Sequence, residues 1–293
     1  MDKCYICGSK EPPAKRLKVL GYSYLLCKAC NGATLVPRER AIKKLTEVYQ
    51  PEYFDWEKPR GIKKVVFDIR LHEPYPEWIE RNKKGKGKIL DVGAGIVNFV
   101  SLIKQKGWDT YAQELSKPQS EKIRKVLGRN RVFNGDFEKI KLRKNFFDVV
   151  TFWHVLEHVK YPGKTISKTQ ALLKNNGFVF IEVPNINSLS WRIFKDNYSL
   201  LSVPAHLFYY SRQSLEKLLS ENGFKIIEVS FPLKYNSAFA FSLISYLKNK
   251  FEIESEKFWL IFFYFILPIS LIINIFTSFI GQSEVLRISA KKK

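Results

Sequence analysis

The chain has 293 residues, 45% of them hydrophobic, enough for one full α/β domain with appendages, and no internal repeat or long low-complexity tract marks it as an array or a disordered tail. Lys and Arg outnumber Asp and Glu by 49 to 28, a formal charge of +21. That excess suits anionic partners (nucleic acid, phosphorylated substrates, acidic lipid headgroups) or is what a Lys-rich proteome produces. The N-terminus opens on charges and paired cysteines rather than an apolar run, so a secretory signal is not expected.

All four cysteines lie in the first 30 residues: Cys4, Cys7, Cys27 and Cys30. Two C-x2-C pairs about twenty residues apart can present four thiolates tetrahedrally to zinc. Two disulfides are the alternative, but nothing marks a secreted protein. Four protein ligands leave no open coordination position, so the metal is read as structural, folding a small knuckle over residues 1–37 that could not bury a core alone. Residues 38–86 read as a helical linker. It ends in a basic, glycine-punctuated hinge, Lys83–Lys88.

The core is read over residues 87–231. Ile89–Val92 is a short apolar strand that runs into Gly93-Ala94-Gly95 and then a helix-like segment, Phe99–Lys106. Glycines there let the backbone approach a nucleotide-like ligand, and the helix N-terminus offers unpaired N–H groups. A dinucleotide fingerprint would want a third glycine where Asn98 stands. Trp108–Leu115 reads as a second strand carrying Glu114, about twenty residues past the glycines, where a ribose-diol binder belongs. Arg131–Phe133 leads to Gly135-Asp136-Phe137, Phe146–Trp153 is a nearly all-apolar strand, and Phe178–Val183 is a fifth. Helix-period segments at Pro118–Leu127 and Thr165–Leu173 alternate with them. The alternation predicts a doubly wound, mostly parallel sheet with ligands at the carboxyl ends of its strands.

The ordered series DVGAGIVNFV, Glu114, GDFE and FDVVTFWHVLEHV resembles the class I S-adenosylmethionine-dependent methyltransferases. It is most similar to the branch whose fourth strand runs into an H-x-L-E-H-V segment. The resemblance covers roughly Ile89–Phe231 and the C-terminal tail. It implies a seven-stranded Rossmann-like sheet with an antiparallel last strand and S-adenosylmethionine as cofactor. Carried over residue by residue, Asp91, Gly93 and Gly95 would line its methionine end and Glu114 would hold the ribose hydroxyls. Asp136 would accept from the adenine amino group beside Phe137, and Trp153 and His154 would face cofactor and acceptor. Many members carry a front knuckle, and Tyr49–Phe54 resembles the aromatic Y-x-x-x-Y-F segment that follows it.

His154-Val155-Leu156-Glu157-His158 also matches H-x-x-E-H, a zinc protease pattern. Its position after a buried strand, with no third-ligand helix, argues against that reading. His154 is instead expected at the active-site rim, with Glu157 in a structural hydrogen bond at a helix start, where an acid suits the dipole. Of the four histidines, His206 lies in a segment resembling the family's H-L-x-x-[FY]-S, which borders the acceptor pocket. The resemblance makes His206 the first choice for a general base and His154 the second. His72 is given no role.

Phe258–Ile280 carries no charge over more than twenty residues, within an apolar helical insert read over 232–281. Residues 282–293 then resemble the family's closing strand, whose antiparallel partner would be Phe224–Phe231. If both belong to one sheet, the insert must leave and return on one side of a membrane. Pro268 is expected to break it into two short helices that dip into one leaflet. A single span, or helices packed on protein, are the alternatives. Lysines flank the insert upstream (Lys248, Lys250, Lys257) and at the C-terminus (Lys291–Lys293).

Taken together the sequence predicts a cytoplasmic methyltransferase, peripheral or monotopic at a membrane face, with structural zinc. The acceptor is expected to be small and lipid-linked or sugar-containing, methylated on oxygen. Basic residues are dispersed rather than gathered with aromatics, so nucleic acid is not the expected partner. An RNA methyltransferase and a non-catalytic binding protein remain the alternatives.

Overall fold

The computed structural model describes residues 3–48, 75–233, 237–251, 253 and 255–293, so Tyr49–Phe54 and His72 lie outside the described residues. Its centre is a seven-stranded sheet in the order β10-β11-β8-β7-β4-β5-β6. Five strands run parallel: β4 (Lys88–Val92), β5 (Asp109–Glu114), β6 (Val132–Asn134), β7 (Phe147–Trp153) and β8 (Leu173–Pro184). The helices between them are α3 (Asn98–Gln105), α4 (Lys117–Leu127) and α5 (Pro162–Leu172). Ile89, Leu90, Val149, Val150 and Phe152 are fully buried, as a sheet covered on both faces requires.

β4 has β5 on one side and β7 on the other. The connections leaving β4 (to β5) and leaving β7 (to β8) therefore diverge to opposite sides, and the crevice at the carboxyl ends of these two strands is where such sheets hold ligands. The sheet closes on the expected antiparallel hairpin: β10 (Phe224–Ser230) pairs with β11 (Val285–Lys292), and β11 pairs with β8. The Rossmann-like architecture read from the sequence is thus present, last strand included.

Two appendages leave from the carboxyl edge. The N-terminal one is a meander of β1 (Pro13–Val19), β2 (Tyr22–Cys27) and β3 (Ala33–Val36), followed by α1 (Arg38–Val48). Its sheet takes a fourth strand from the core, β9 (Phe208–Tyr209), which pairs with β3. The second appendage is a helical hairpin between β10 and β11, made of α8 (Ala238–Phe251) and α9 (Glu256–Phe279). The remaining helices are α2 (Tyr75–Asn82), α6 (Leu189–Phe194) and α7 (Arg212–Glu221).

The hairpin departs from expectation in two ways. Pro268 lies inside an unbroken α9. The ring removes one N–H from the ladder, but residues on both sides of it, Phe263 and Ser270, are held on α8, so the helix stays continuous. The C-terminal lysines do not flank it either. Lys291 pairs with Phe178 at the far end of β11, six residues from Val285 and thus about 20 Å from the hairpin's root.

Glu182, at the end of β8, is fully buried and joins three elements. It accepts from Arg287 Nε of β11 and, at 2.6 Å, from the Tyr75 hydroxyl of α2; His154 Nε2 lies 3.0 Å away. Removing one partner of a buried ion pair leaves an uncompensated charge. Arg287→Met should therefore lower the unfolding free energy by about 3 kcal/mol in urea titrations. A loss below about 1 kcal/mol would mean that Tyr75 and His154 suffice to hold the carboxylate.

Candidate active site and metal centre

The carboxyl edge gathers residues that lie far apart in sequence. Asp91 stands near the tip of β4, 2% exposed, and accepts from Thr151 Oγ1 of β7 at 2.6 Å. Burial, reinforced by the charge of Glu114 and opposed by that hydrogen bond, pushes its carboxyl up to about 8. Glu114 ends β5. It accepts from the Gly95 and Ser116 amides, each at 2.8 Å, and its pKa is raised because burial outweighs those donors. Asp136, just past β6, accepts from the Glu138 amide, and Phe137 packs edge-on against Phe152.

The glycines earn their place sterically. Gly93 has φ +65°, and a Cβ there would come within 2.6 Å of Val155 Cγ2. Gly95 has φ +51° but meets only a backbone oxygen at 3.8 Å. Gln113 holds the edge together: it accepts from the Gly93 amide and donates to the Gly135 carbonyl, tying the loop after β4 to the loop after β6. Its neighbour Glu114 drew attention by its charge. Nothing in local sequence singled out Gln113, nor Tyr75, whose ring stacks on Trp153 with centroids 3.9 Å apart.

His154 adopts a left-handed backbone, φ +55°, where β7 ends. Its two ring nitrogens face two buried carboxylates: Nε2 is 3.0 Å from Glu182 and Nδ1 is 3.3 Å from Glu157. Glu157 lies in a turn, not a helix, and helix α5 begins only at Pro162. Its carboxylate faces His154 from that turn, and its backbone carbonyl accepts from the Leu207 and Phe208 amides. Glu157, His158 and His206 each bring a donor atom within 4.8 Å of the others.

His206 is buried against His158, ring centroids 4.7 Å apart, and burial with neighbouring histidines holds its pKa well below the usual range. The Tyr209 hydroxyl donates to the Leu200 carbonyl. It therefore accepts from His206 Nδ1, 2.9 Å away, a network that assigns the proton to Nδ1 and leaves Nε2 as the basic nitrogen.

The four cysteines converge. Cys4 and Cys30 sulfurs lie 3.9 Å apart, Cys7 and Cys27 sulfurs 3.8 Å, and all four fall within 4.8 Å of one another. Tetrahedral zinc with sulfurs at about 2.3 Å needs sulfur–sulfur separations near 3.8 Å, so the donor set fits the ion. A hydrogen bond from Cys30 pulls the Cys4 thiol down to about 5, while burial raises Cys7 to about 11.

Comparison with known proteins agrees with this geometry. A family described as a methyltransferase domain matches residues 67–229. A mitochondrial ubiquinone biosynthesis O-methyltransferase of Candida albicans is 28% identical over 193 residues, covering 61% of this chain and 55% of the relative. An Acinetobacter baylyi enzyme of the same description is 26% identical over 132 residues, covering 41% and 56%. The chain thus spans about half the length of these curated relatives. Among solved structures, a Burkholderia thailandensis 1,6-didemethyltoxoflavin-N1-methyltransferase with bound S-adenosylhomocysteine superposes with TM-score 0.54 at 14% identity, covering 96% of this chain and all of the other. An Archaeoglobus fulgidus SAM-dependent methyltransferase gives 0.51 at 20% identity, covering 78% and 99%. Both likenesses are of fold.

The two glycines should differ on substitution. Gly93→Ala meets both a strained φ and Val155, whereas Gly95→Ala meets strain alone, about 1–2 kcal/mol. Thermal melts should rank Gly93→Ala below Gly95→Ala; equal losses would show that Val155 yields freely.

Proposed function

The chain belongs to the methyltransferase-domain family, and from that premise we propose that it transfers a methyl group from S-adenosylmethionine to an oxygen of a small, lipid-linked acceptor at a membrane face. The observation that carries the cofactor assignment is the row of acids on one edge of a chain of net charge +21: Asp91, Glu114 and Asp136, at or just past the ends of adjacent strands beside Gly93 and Gly95. An acidic crevice in a basic protein suits a ligand with an ammonium and a sulfonium. The curated relatives, described as ubiquinone biosynthesis O-methyltransferases, favour a lipid-linked oxygen acceptor.

S-adenosylmethionine supplies an already activated methyl group, so the protein's task is alignment. Asp91 is assigned to the methionine ammonium, Glu114 to the ribose hydroxyls, Asp136 to the adenine amino group beside Phe137, and Trp153 to the wall between cofactor and acceptor. His206 is assigned as general base, a role worth about 10²–10⁴-fold for a hydroxyl acceptor. Its depressed pKa keeps it unprotonated at neutral pH, and its basic nitrogen is Nε2. His154, its ring nitrogens facing Glu182 and Glu157, is the second choice. Cys4, Cys7, Cys27 and Cys30 are assigned to structural zinc.

The membrane assignment rests on α9. It is long and apolar enough to cross a bilayer, and only 22% of its most apolar stretch is buried. Phe258, Ile261, Phe265, Ile269, Ile272 and Phe276 are exposed at three- or four-residue spacing, and Tyr264, Leu271, Ile275 and Phe279 widen them into a broad apolar face. The hairpin turn carries Lys248, Lys250, Glu256 and Lys257, charges that oppose tip-first insertion. The reading is therefore a hairpin lying along the interface, the broad apolar face of α9 in the acyl region. Both ends return to the carboxyl edge, which would turn the cleft toward a lipid-borne acceptor and attract anionic headgroups, about 1 kcal/mol per basic residue near the surface.

Asp91→Asn should weaken S-adenosylmethionine binding at least about tenfold by calorimetric titration; unchanged affinity would remove Asp91 from the site. A cation beside Asp91 favours its carboxylate, so binding should release a proton below about pH 8. Affinity should accordingly rise from pH 6 to pH 8, with proton release at pH 7 detected in buffers of different ionisation heat. Phe265→Asp with Phe276→Asp, at positions 73% and 68% exposed, should abolish sedimentation with phosphatidylglycerol vesicles without lowering Tm. Retained sedimentation would mean that another surface binds lipid.

A further inference from the structure

The knuckle is built into the core along one strip of chain, residues 205–211. β3 pairs with β9 through Ala33 with Tyr209 and Thr34 with Phe208, and the Leu35 amide donates to the Leu207 carbonyl. The Tyr24 hydroxyl of β2 donates to the His206 carbonyl at 2.8 Å, and its ring meets those of Tyr209 and Trp191 edge-on at 5.1 and 5.9 Å. Ser211 Oγ donates to the carbonyl of Cys30, one of the four clustered cysteines, at 2.8 Å. That same Ser211 caps helix α7.

The opposite side of the strip touches the carboxyl edge. The Leu207 and Phe208 amides donate to the Glu157 carbonyl, the Ile186 amide donates to the Tyr210 carbonyl, and the Tyr210 hydroxyl donates to the Leu156 carbonyl. Residues 205–211 are thus held between the knuckle and the loops that follow β7 and β8. β9 is only two residues long, too short to stand by itself; β3 is the strand it pairs with. The position of β3 and of the Cys30 carbonyl is fixed by the turn that joins Cys27 to Cys30. There the Asn31 amide donates to the Cys27 carbonyl and the Cys27 amide to the Gly32 carbonyl. A metal held by both cysteines locks that turn.

We propose that the metal-loaded knuckle is a clamp on the acceptor side of the cleft, and that Tyr24 is its positioning residue for His206 and Tyr209. The clamp stands on the contacts above; its relevance to the acceptor rests on the methyltransferase reading. The cofactor side, made by β4, β5 and their loops, contributes no strand to the knuckle sheet. Loss of metal should loosen one side of the cleft and leave the other intact, so the knuckle makes acceptor handling, not cofactor binding, dependent on zinc.

Amide hydrogen exchange on the full-length, zinc-loaded chain tests this, with S-adenosylhomocysteine titration on the same samples. Stripping zinc with a chelator should speed exchange of the 205–211 amides at least about tenfold. β4 and β5 amides, and S-adenosylhomocysteine affinity, should change by less than about twofold. Tyr24→Phe keeps the ring and the metal but removes one hydrogen bond, and should speed exchange in the same strip about fivefold. Unaltered exchange there on stripping, a rise shared equally by β4 and β5, or a chain that takes up no zinc would each overturn the clamp. If S-adenosylhomocysteine does not bind while the strip still responds, the methyltransferase reading falls and the clamp stands.

Discussion

A carboxylate without exposed surface must find its compensation inside the protein, and Glu182 finds it from three directions. Arg287 comes from the antiparallel strand, Tyr75 from the helix before the core, and His154 from the end of β7. This one charge therefore fixes how the closing strand, α2 and the loop after β7 meet at the end of β8. Trp153 follows, stacked on Tyr75, and so does the left-handed turn that points His154 between two acids. The cleft floor is rigid because the alternative is an unpaired charge in a dry interior.

Among the described residues, the knuckle and the apolar hairpin both join the core at that same edge. In a doubly wound sheet the loops at the carboxyl ends are free to vary while strands and helices are locked in packing. The knuckle uses that freedom through β9, and the apolar hairpin uses it between β10 and β11. The strips that carry His206 and the root of α8 meet there too: the Ser199 hydroxyl donates to the Ala238 carbonyl, and the Tyr209 hydroxyl donates to the nearby Leu200 carbonyl. Metal, membrane and cofactor readings thus converge on one rim rather than on separate modules.

Several expectations changed for identifiable reasons. Pro268 was a sound breaker signal, yet α8 packs across it and α9 continues. Glu157 is expected at a helix start; no helix forms there, and from a turn its carboxylate faces His154 while its carbonyl accepts from two amides. Lys291–Lys293 adjoin the apolar stretch in sequence, but an eight-residue strand carries them to the opposite end of the sheet. Each case turns on a partner distant in sequence, which local pattern does not contain.

While the antiparallel closing strand followed from the family resemblance, the sequence by itself determined the parallel strands, the glycine turn, the acids at the strand tips and the four-cysteine set. These depend on periodicities of two and 3.6 residues and on residue types that few backbones require. Tertiary structure alone decided which groups face one another: Gln113 bridging two loops, Tyr75 and Arg287 on Glu182, Tyr24 on His206, and Glu157 beside His158 and His206. Those side chains carry no local signature because their role is set by burial and by contacts across 20 to more than 180 residues of chain, and only folding brings such partners within hydrogen-bond reach.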